Sequence, residues 1–419
     1  MKIKPSRKIR GVVAPPSDKS ITHRALFFSS ISNGNSTIFA PLYSEDTMRT
    51  LNFVESLGVK IEISGEALHV KPPSKLYEPT SPIDCGNSGT TARIGMGLLA
   101  RETFFSVLYG DKSLSKRPMR RVVEPLSLMG ARFDGRNGGS NLPISIRGGH
   151  LHSISYISSV SSAQVKSSFI FGALNADGIS SYVEPNQSRD HTERFLSQFD
   201  LVKVEGREIK IHPGFVPHFK IKVVGDFSSA AFFVVLGVIH PNSHLEIKDV
   251  GLNPTRTGLL KVLKKMGANV EITKMVEDVE PYGNLVVESS KLKGVEVSTD
   301  EVPTLIDEVP LVALLGAFAT GETVVRGALE LRKKETDRIK VTVDILSQMG
   351  VEIEEFDDGF RVQGGRKLHD AKLNSFGDHR MAMLASIAGV SAEGVEIEND
   401  KCVAISYPSF FSDLKEVIR

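Results

Sequence analysis

A repeated stretch of sequence is the feature that most narrows the possible folds of this chain. Six times, a small or polar cluster opens an apolar tract that ends near a glycine or an Asn-Gly-like break, about every 70 residues. The tracts begin near Asp18, Asn87, Ser162, Ser228, Thr304 and Gly377. Since each copy repeats one arrangement of elements, six such units account for the whole chain of 419 residues.

A second, amphipathic tract follows the apolar one within each unit. In the fourth copy Leu259, Leu260, Leu263 and Met266 recur at steps of three and four residues, as on one stripe of a helix. A residue suited to a left-handed helix end comes next, and alternating residues typical of a half-buried strand follow it. That residue is Gly58, Gly130, Asp200, Gly267 and Gly350 in copies one to five. Each unit is therefore predicted to run helix, strand, helix, strand, with further strands in the connections.

The length predicts two domains, because 419 residues are too many for one core. The second tract of the sixth unit is truncated, and we expect the strand-like residues 9–13 to complete it. The chain would then cross between domains near residues 15–18 and 224–227. The predicted domains are residues 18–225 and residues 1–17 plus 226–419, with three units each and an active site in the cleft between them.

Composition excludes several classes of protein. A net charge of +1, from 51 basic and 50 acidic residues, does not provide the broad basic surface of a nucleic-acid binder. Cys85 and Cys402 are far apart and match no metal or redox spacing, which favours a reducing compartment. The first residues lack the apolar core of a signal peptide, and the longest apolar runs are about half of the ~20 residues that span a bilayer. We expect a cytoplasmic protein.

Polar residues that suit anions stand at the predicted helix starts. Lys19, Ser20 and Arg24, in PPSDKSITHRAL, combine an ammonium, a hydroxyl and a guanidinium beside the free N–H groups of a first turn. The alternative to an anion site is an ordinary capped helix start, with Lys19 and Arg24 exposed to solvent. The Gly-rich turn GNSGTTAR (residues 86–93) lets backbone N–H groups approach an oxyanion, although it is not a Walker A loop. Alone, it is more often only a turn.

Later segments repeat this chemistry. GDKSLSKRPM places Arg117 before a helix predicted from Pro118, and SRDHTER offers Arg189. The segment ELRKKETDRI (residues 330–339) is predicted to be helical, with Lys334 and Arg338 on one face and Glu335 beside them. The alternative is a surface helix in which these charges only form ion pairs. Asp307 comes just ahead of a helix whose first turn suits Pro310, where a carboxylate normally caps. The remaining candidates are Ser162, Ala163 and Gln164 in SSAQVKS and His379 and Arg380 in GDHRMAM.

Seven cations share this placement, and a repeat fold can bring equivalent helix ends to one site. They are Lys19, Arg24, Arg117, Arg189, Lys334, Arg338 and Arg380. In a chain of near-zero net charge, such a focused set predicts binding of small, multiply anionic metabolites.

The short motifs described above, in this order and over essentially the full length of the chain, resemble those of the 5-enolpyruvylshikimate-3-phosphate (EPSP) synthase family. The resemblance implies an inside-out α/β barrel fold of two domains, with three βαβαββ repeats in each and the helices inside. It also implies transfer of the enolpyruvyl group of phosphoenolpyruvate to the 5-hydroxyl of shikimate 3-phosphate, with no metal or other cofactor. We expect a monomer with small-molecule substrates and with no nucleic-acid or membrane partner.

The resemblance also implies roles for individual residues. Shikimate 3-phosphate is expected to be held by Lys19, Ser20, Arg24, Ser162, Ala163, Gln164, Arg189, Asp307 and Lys334. Phosphoenolpyruvate is expected to be held by Lys19, Asn87, Gly89, Arg117, Gln164, Arg338, His379 and Arg380. Asp307 would take the proton of the 5-hydroxyl, and Glu335 with Lys19 would move the proton of the methylene carbon.

Two other functions compete with this interpretation. A related enolpyruvyl transferase acts on UDP-N-acetylglucosamine, but it uses a cysteine in a flexible Gly-rich loop, whereas neither cysteine here is in such a loop. A non-catalytic sensor of phosphorylated metabolites would keep the cations but has little need of Asp307 and Glu335. Four short segments further resemble the glyphosate-tolerant subclass of the family: RDHTE, GDKS, SAQVK and NPTR. The strongly tolerant members of that subclass, however, carry a bulkier residue at the position of Gly89.

Overall fold

The structure, a computed structural model, describes residues 1–418. The chain forms two compact units. We call Ser17–Val223 the inserted unit, and Met1–Pro16 together with Val224–Arg419 the terminal unit.

Thirteen α-helices occur among the described residues. In chain order they are α1 Lys19–Ser30, α2 Glu45–Ser56, α3 Gly89–Leu99, α4 Arg120–Leu128, α5 Arg136–Gly139, α6 Ala163–Ala173, α7 His191–Ser197, α8 Phe227–Ile239, α9 Gly258–Met266, α10 Val309–Phe318, α11 Arg338–Gln348, α12 His379–Ser391 and α13 Phe410–Val417. Of these, α5 is a distorted turn, because Asn137 and Gly138 leave the helical conformation.

Twenty-three strands accompany them in the same described range. They are β1 Lys2–Ile3, β2 Ile9–Val13, β3 Ser36–Phe39, β4 Lys60–Ser64, β5 Ala67–Lys71, β6 Ile83–Asp84, β7 Phe105–Tyr109, β8 Arg132–Gly135, β9 Asn141–Arg147, β10 Ser155–Ile157, β11 Ser180–Val183, β12 Val202–Glu205, β13 Glu208–Ile211, β14 Lys220–Lys222, β15 Ser243–Gly251, β16 Asn269–Val276, β17 Tyr282–Glu288, β18 Glu296–Val297, β19 Glu322–Val325, β20 Glu352–Phe356, β21 Gly359–Gln363, β22 Ala371–Asn374 and β23 Val395–Glu398.

The six apolar tracts are helices, as predicted, and they form the core of each unit. They are α1, α3 and α6 in the inserted unit and α8, α10 and α12 in the terminal unit. All 13 residues of α8 are buried. A helix that is apolar around its whole circumference is stable only when protein surrounds it. Most residues of the other five helices are buried as well. The helices therefore lie inside the sheets, and the predicted inside-out α/β arrangement is confirmed.

Each unit carries three small sheets. The strand orders are β14-β3-β5-β4, β6-β7-β9-β8 and β10-β11-β13-β12 in the inserted unit, and β16-β17-β15-β2, β18-β19-β21-β20 and β1-β23-β22 in the terminal unit. Every four-stranded sheet combines one parallel pair with two antiparallel pairs. This pairing is what repeated βαβαββ units produce.

The N-terminal strand was assigned to the wrong sheet. Residues 9–13 form β2, which pairs in parallel with β15 in the sheet of the fourth unit. The sixth sheet is completed instead by β1, which pairs with β23. Within residues 1–418, a single isolated bridge, Ile9 to Ile418, joins β2 to the segment that follows α13. The alternating pattern identified the strand, but a pattern of period two carries no information about its partner.

The predicted left-handed turns are present after the amphipathic helices. Gly58, Gly130, Gly267 and Gly350 have φ values of 89°, 110°, 80° and 86°, and Asp200 takes 56° in the third copy. One helix start was predicted two residues too early, because α4 begins at Arg120 rather than Pro118. Within residues 1–418, no helix is both long and apolar enough to cross a bilayer.

Candidate active site

The start of α1 presents the first predicted cation. Asp18 caps the helix by accepting a hydrogen bond from the Ile21 amide at 2.8 Å, so Lys19 is the first helical residue. The Lys19 ammonium is 2.9 Å from Asp46 Oδ2, and both side chains are mostly buried. The carbonyl of Ser20 accepts a hydrogen bond from Arg24 at 3.1 Å. Arg24 therefore lies one helical turn after Ser20, as predicted.

Arg24 connects α1 to two further helix starts. Its Nε donates to Thr192 Oγ1 at 2.9 Å, at the beginning of α7, and one terminal nitrogen reaches the Ala163 carbonyl at 3.5 Å, at the beginning of α6. Ser162 stands at the N-cap of α6 but makes no side-chain capping hydrogen bond. The start of α6 thus combines uncapped backbone N–H groups with a neighbouring guanidinium, an arrangement that favours a phosphate. Arg189 lies two residues before α7, and its neighbour Ser188 is buried.

A second group of predicted residues surrounds the start of α3. Arg117 donates to the side-chain oxygen of Asn87 and, at 3.4 Å, to its carbonyl. Asn87 in turn donates to Asp111 Oδ2 at 2.6 Å. A Cβ built on Gly89 would lie 3.2 Å from a terminal nitrogen of Arg93 and 3.4 Å from one of Arg117. Gly89 therefore separates two guanidinium groups at a helix start, which suits a small anion.

Arg93 joins this group to α6, and the sequence analysis did not single it out. Its Nη1 donates to Gln164 Oε1 at 2.6 Å, and its Nη2 donates to the Pro118 carbonyl at 3.3 Å. Gln164 also donates to Thr90 Oγ1 at 2.8 Å. The available signal was position, because Arg93 lies one helical turn after Gly89 and so faces the same way.

In the terminal unit the predicted residues gather around one carboxylate. Asp307 is 7% exposed. Its Oδ1 lies 3.2 Å from both Lys334 Nζ and Arg338 Nη1, and its Oδ2 lies 3.7 Å from Arg380 Nη2. Asp307 does not cap α10, whose N-cap residue is Glu308 and whose first turn contains Pro310, as predicted. Three cations therefore surround one buried carboxylate.

Lys334 and Glu335 do not lie on a helix with Arg338, and that prediction was wrong. Lys334 follows the 3-10 segment Leu329–Lys333 in an extended conformation, and α11 begins only at Arg338. Asp337 stops the helix from extending backwards, because its side chain caps α11 by accepting from the Lys340 amide at 3.1 Å. Lys334 and Arg338 nevertheless converge on the same oxygen of Asp307.

Arg338 is 2% exposed and is held by carboxylates on three sides. Besides Asp307, its guanidinium contacts Asp378 at 2.8 and 3.3 Å and Glu335 at 2.6 Å. Burial alone would lower the pKa of Arg338, but Asp378, Glu335 and Asp307 outweigh it and raise that pKa. Burial likewise would raise the pKa of Asp378, but Arg338 outweighs it and lowers that pKa. Both groups are therefore charged over the whole physiological range.

Asp378 also positions the last predicted pair, and the sequence analysis missed it. It is the N-cap of α12 and accepts a hydrogen bond from the Arg380 amide at 2.9 Å. His379 and Arg380 therefore stand at the helix start, as predicted, and His379 is buried. The Arg380 guanidinium also lies 3.9 Å from Glu308 Oε1.

Neither cysteine has the properties of a reactive thiol. Cys85 is fully buried, and burial raises its pKa well above the usual range. Burial also raises the pKa of Cys402. Because the thiolate is the reactive form, burial disfavours reaction at both thiols.

The comparisons with known proteins agree with this chemistry. Residues 3–414 match the family described as EPSP synthase (3-phosphoshikimate 1-carboxyvinyltransferase). A 3-phosphoshikimate 1-carboxyvinyltransferase of Thermotoga neapolitana is 52% identical over 421 residues and covers 100% of both chains. One from Bacillus cereus is 46% identical and covers 98% of this chain and 97% of its own.

Solved structures give the same result for the fold. EPSP synthase from Acinetobacter baumannii superposes with a TM-score of 0.88 at 37% identity, covering 100% of this chain and 98% of that one. The enolpyruvyl transferase NikO from Streptomyces tendae reaches a TM-score of 0.79 at 15% identity over 99% and 96% of the two chains, which shows the fold alone. With a family match over nearly the whole chain and relatives at about half identity, the protein belongs to the EPSP synthase family.

Proposed function

We propose that this protein transfers the enolpyruvyl group of phosphoenolpyruvate to the 5-hydroxyl of shikimate 3-phosphate and releases inorganic phosphate. Its membership of the family and its full-length relatives support this reaction. The observation that carries the proposal is the buried Asp307, held by Lys334 and Arg338. A sensor needs no carboxylate among its anion-binding cations, whereas a transferase needs a fixed proton acceptor.

For shikimate 3-phosphate, we propose the uncapped start of α6 and its neighbouring cations as the phosphate site. Ser162 and Ala163 would donate from backbone and hydroxyl, and Arg24 and Arg189 would supply the positive charge. The full set is Lys19, Ser20, Arg24, Ser162, Ala163, Gln164, Arg189, Asp307 and Lys334. Arg24 is already fixed by Thr192 and Ser167 at 2.9 Å each, so it would need little reorganisation on binding.

For phosphoenolpyruvate, we propose the guanidinium pair around Gly89 together with the starts of α11 and α12. The full set is Lys19, Asn87, Gly89, Arg117, Gln164, Arg338, His379 and Arg380. Since Arg338 contacts three carboxylates, its binding to phosphoenolpyruvate requires exchange of one contact. The contact with Glu335 is the one to exchange, because that side chain is the most exposed of the three carboxylates, at 22%.

The proposed chemistry is addition followed by elimination. Asp307 accepts the proton of the 5-hydroxyl as its oxygen bonds to C2 of phosphoenolpyruvate, and Lys334 orients the ring hydroxyls. Glu335, with Lys19, delivers a proton to the methylene carbon, which becomes a methyl group. The reverse proton transfer then expels phosphate and restores the double bond. Carboxylates stabilise the positive charge that develops at C2, and the arginines hold the anionic groups in register.

The residues proposed above come from both units, and we therefore propose that residues 18–225 and residues 1–17 plus 226–419 act as two domains on one pair of substrates. We further propose a cytoplasmic monomer without a nucleic-acid partner. The free thiols of Cys85 and Cys402 support a reducing compartment, and the near balance of 51 basic and 50 acidic residues supports a protein that does not bind nucleic acid.

Phosphate release tests the proposal. Purified protein with phosphoenolpyruvate and shikimate 3-phosphate is expected to release phosphate, and omission of either compound should abolish release. Replacing shikimate 3-phosphate by UDP-N-acetylglucosamine should give no release. Tight binding of shikimate 3-phosphate without any phosphate release would show a sensor and overturn the proposal.

A further inference from the structure

A buried lysine in α6 has no part in the chemistry proposed above. The Lys166 side chain is 1% exposed and lies one helical turn after Ser162. Its ammonium is 2.7 Å from Glu184 Oε1 and 2.6 Å from Glu193 Oε1, and it donates to the Ser188 carbonyl at 3.3 Å. These three contacts use all three donors of the ammonium.

The triad of Lys166, Glu184 and Glu193 places three charged side chains in the interior. The side chains of Glu184 and Glu193 are buried, at 5% and 4% exposed. Burial would lower the pKa of Lys166, but Glu193 and Glu184 outweigh it and raise that pKa, while burial raises the pKa of Glu193. Buried charges are expensive, and apolar residues of similar volume usually give equal or greater stability. A specific geometric task is therefore the better explanation for this cluster.

The triad holds the residue that precedes Arg189. Ser188 donates its amide to Glu184 Oε1 at 2.8 Å and its hydroxyl to Glu184 Oε2 at 2.7 Å, and its carbonyl accepts from Lys166. Every backbone and side-chain polar group of Ser188 is thus engaged by the triad.

The residues that follow Arg189 are fixed as well. Glu193 belongs to the triad, and Thr192 exchanges a hydrogen bond with Ser167 at 2.7 Å and accepts from Arg24 at 2.9 Å. The backbone of Arg189 is therefore anchored on both sides to α6, the helix whose uncapped start is the proposed phosphate site.

We infer that Lys166, Glu184 and Glu193 form a positioning triad that fixes Arg189 toward the 3-phosphate of shikimate 3-phosphate, an inference that rests on the proposed function. The triad touches no substrate. It reduces the conformational freedom that Arg189 must lose on binding, and this raises affinity for the phosphate group only.

A double-mutant cycle tests the inference. Lys166→Met is expected to raise the KM for shikimate 3-phosphate about tenfold, with kcat changed less than about threefold, and to leave the binding of shikimate, which lacks the phosphate, unchanged. Arg189→Ala should produce the same selective loss. In the Arg189→Ala background, Lys166→Met should then have no further effect on the KM for shikimate 3-phosphate. Equal losses in both backgrounds, or an equal loss of shikimate binding, would overturn the inference.

A milder pair of variants covers the case in which Lys166→Met fails to fold. Ser188→Ala removes the hydroxyl contact with Glu184 and should weaken shikimate 3-phosphate binding selectively. Ser168→Ala is the matched control, since Ser168 is a buried serine of α6 whose hydroxyl has no hydrogen-bond partner among the described residues. Its KM should equal that of the wild type, and equal KM values for both variants would contradict the inference. A wild-type enzyme that releases no phosphate would instead refute the proposed function itself.

Discussion

Asp307 and Asp378 both contact Arg338, and replacing each by asparagine distinguishes a residue that acts in catalysis from one that stabilises the fold. Asp307→Asn removes the proposed proton acceptor but keeps an oxygen for Lys334 and Arg338 at 3.2 Å. The new amide nitrogen can face Arg380, which is 3.7 Å from Oδ2 and thus beyond hydrogen-bonding distance. We therefore expect a loss of only about 1 kcal/mol of stability, and a fall in kcat of about 10²- to 10⁴-fold, the contribution of a general base.

Asp378→Asn is the matched comparison. Asp378 is fully buried, and its Oδ2 accepts from both Arg338 and Thr336, at 2.8 and 3.1 Å, while its Oδ1 accepts from Arg338 and from the Arg380 amide. An amide nitrogen at either position of residue 378 faces a donor within hydrogen-bonding distance, whereas the Asp307→Asn nitrogen can face Arg380 at 3.7 Å. Both changes remove one counter-charge of Arg338, so the extra cost at position 378 comes from these donor–donor contacts. We expect a loss of about 3 kcal/mol or more, which is a Tm shift of about 10 °C, against about 3 °C for Asp307→Asn.

Thermal unfolding, turnover and calorimetric binding of shikimate 3-phosphate should be measured on both variants. The reasoning predicts that Asp307→Asn folds, binds within about tenfold of the wild type and turns over poorly. It is refuted if Asp307→Asn keeps turnover within about threefold, or if it loses binding and turnover by the same factor.

Three further predictions follow from individual contacts. Gly89→Ala places a methyl group 3.2 Å from Arg93 and 3.4 Å from Arg117, so steady-state kinetics should show a raised KM for phosphoenolpyruvate with a Tm close to that of the wild type; an unchanged KM would contradict this. Arg93→Met breaks the link to Gln164 at 2.6 Å and should raise the same KM about tenfold or more, whereas Arg132→Met, on an exposed strand, should leave it unchanged. Burial lowers the pKa of His23 from 6.5 to about 3. Between these two pH values the unfolded chain binds a proton at His23 that the folded chain does not bind. The free energy of unfolding therefore falls by ~1.4 kcal/mol per pH unit as the pH decreases through that window. His23→Asn, whose amide can still reach Thr50, should remove this part of the slope in urea unfolding at pH 7 and pH 4.5, and an unchanged slope would contradict the assignment.

The helical core was predictable because its signal is local. The six tracts are dominated by small and apolar residues. The glycine or aspartate after the amphipathic helix in the first five copies has a positive φ, which few residues adopt. The candidate residues at the helix starts were predictable for the same reason, since a start is marked by its own sequence.

Partners across the chain were not predictable from local patterns. Arg93 bonds to a residue 71 positions away and Arg338 to Asp378 over 40 positions. The same limit explains the sheet of β2, whose partner depends on packing rather than on its own alternation. The failure at Lys334 has a different cause, because Thr336 and Asp337 can each cap a helix and the sequence does not decide between continuing and capping.

The pairing of the site's cations with carboxylates was likewise not predictable from the sequence. The sequence suggested a group of cations, whereas the structure pairs Lys19 with Asp46 and sets Lys334 and Arg338 on Asp307. A substrate anion therefore replaces or joins protein carboxylates rather than meeting isolated positive charges. This exchange limits how much affinity each arginine can contribute.

The most direct measurement follows the carbon skeleton of phosphoenolpyruvate labelled with ¹³C at C2, by NMR in D₂O with shikimate 3-phosphate and the wild-type protein. The account predicts a product that carries the labelled carbon in an enol ether at the 5-oxygen, with deuterium in its methylene group from the transient methyl. Labelled pyruvate with unchanged shikimate 3-phosphate, or an enol ether without deuterium, would contradict it.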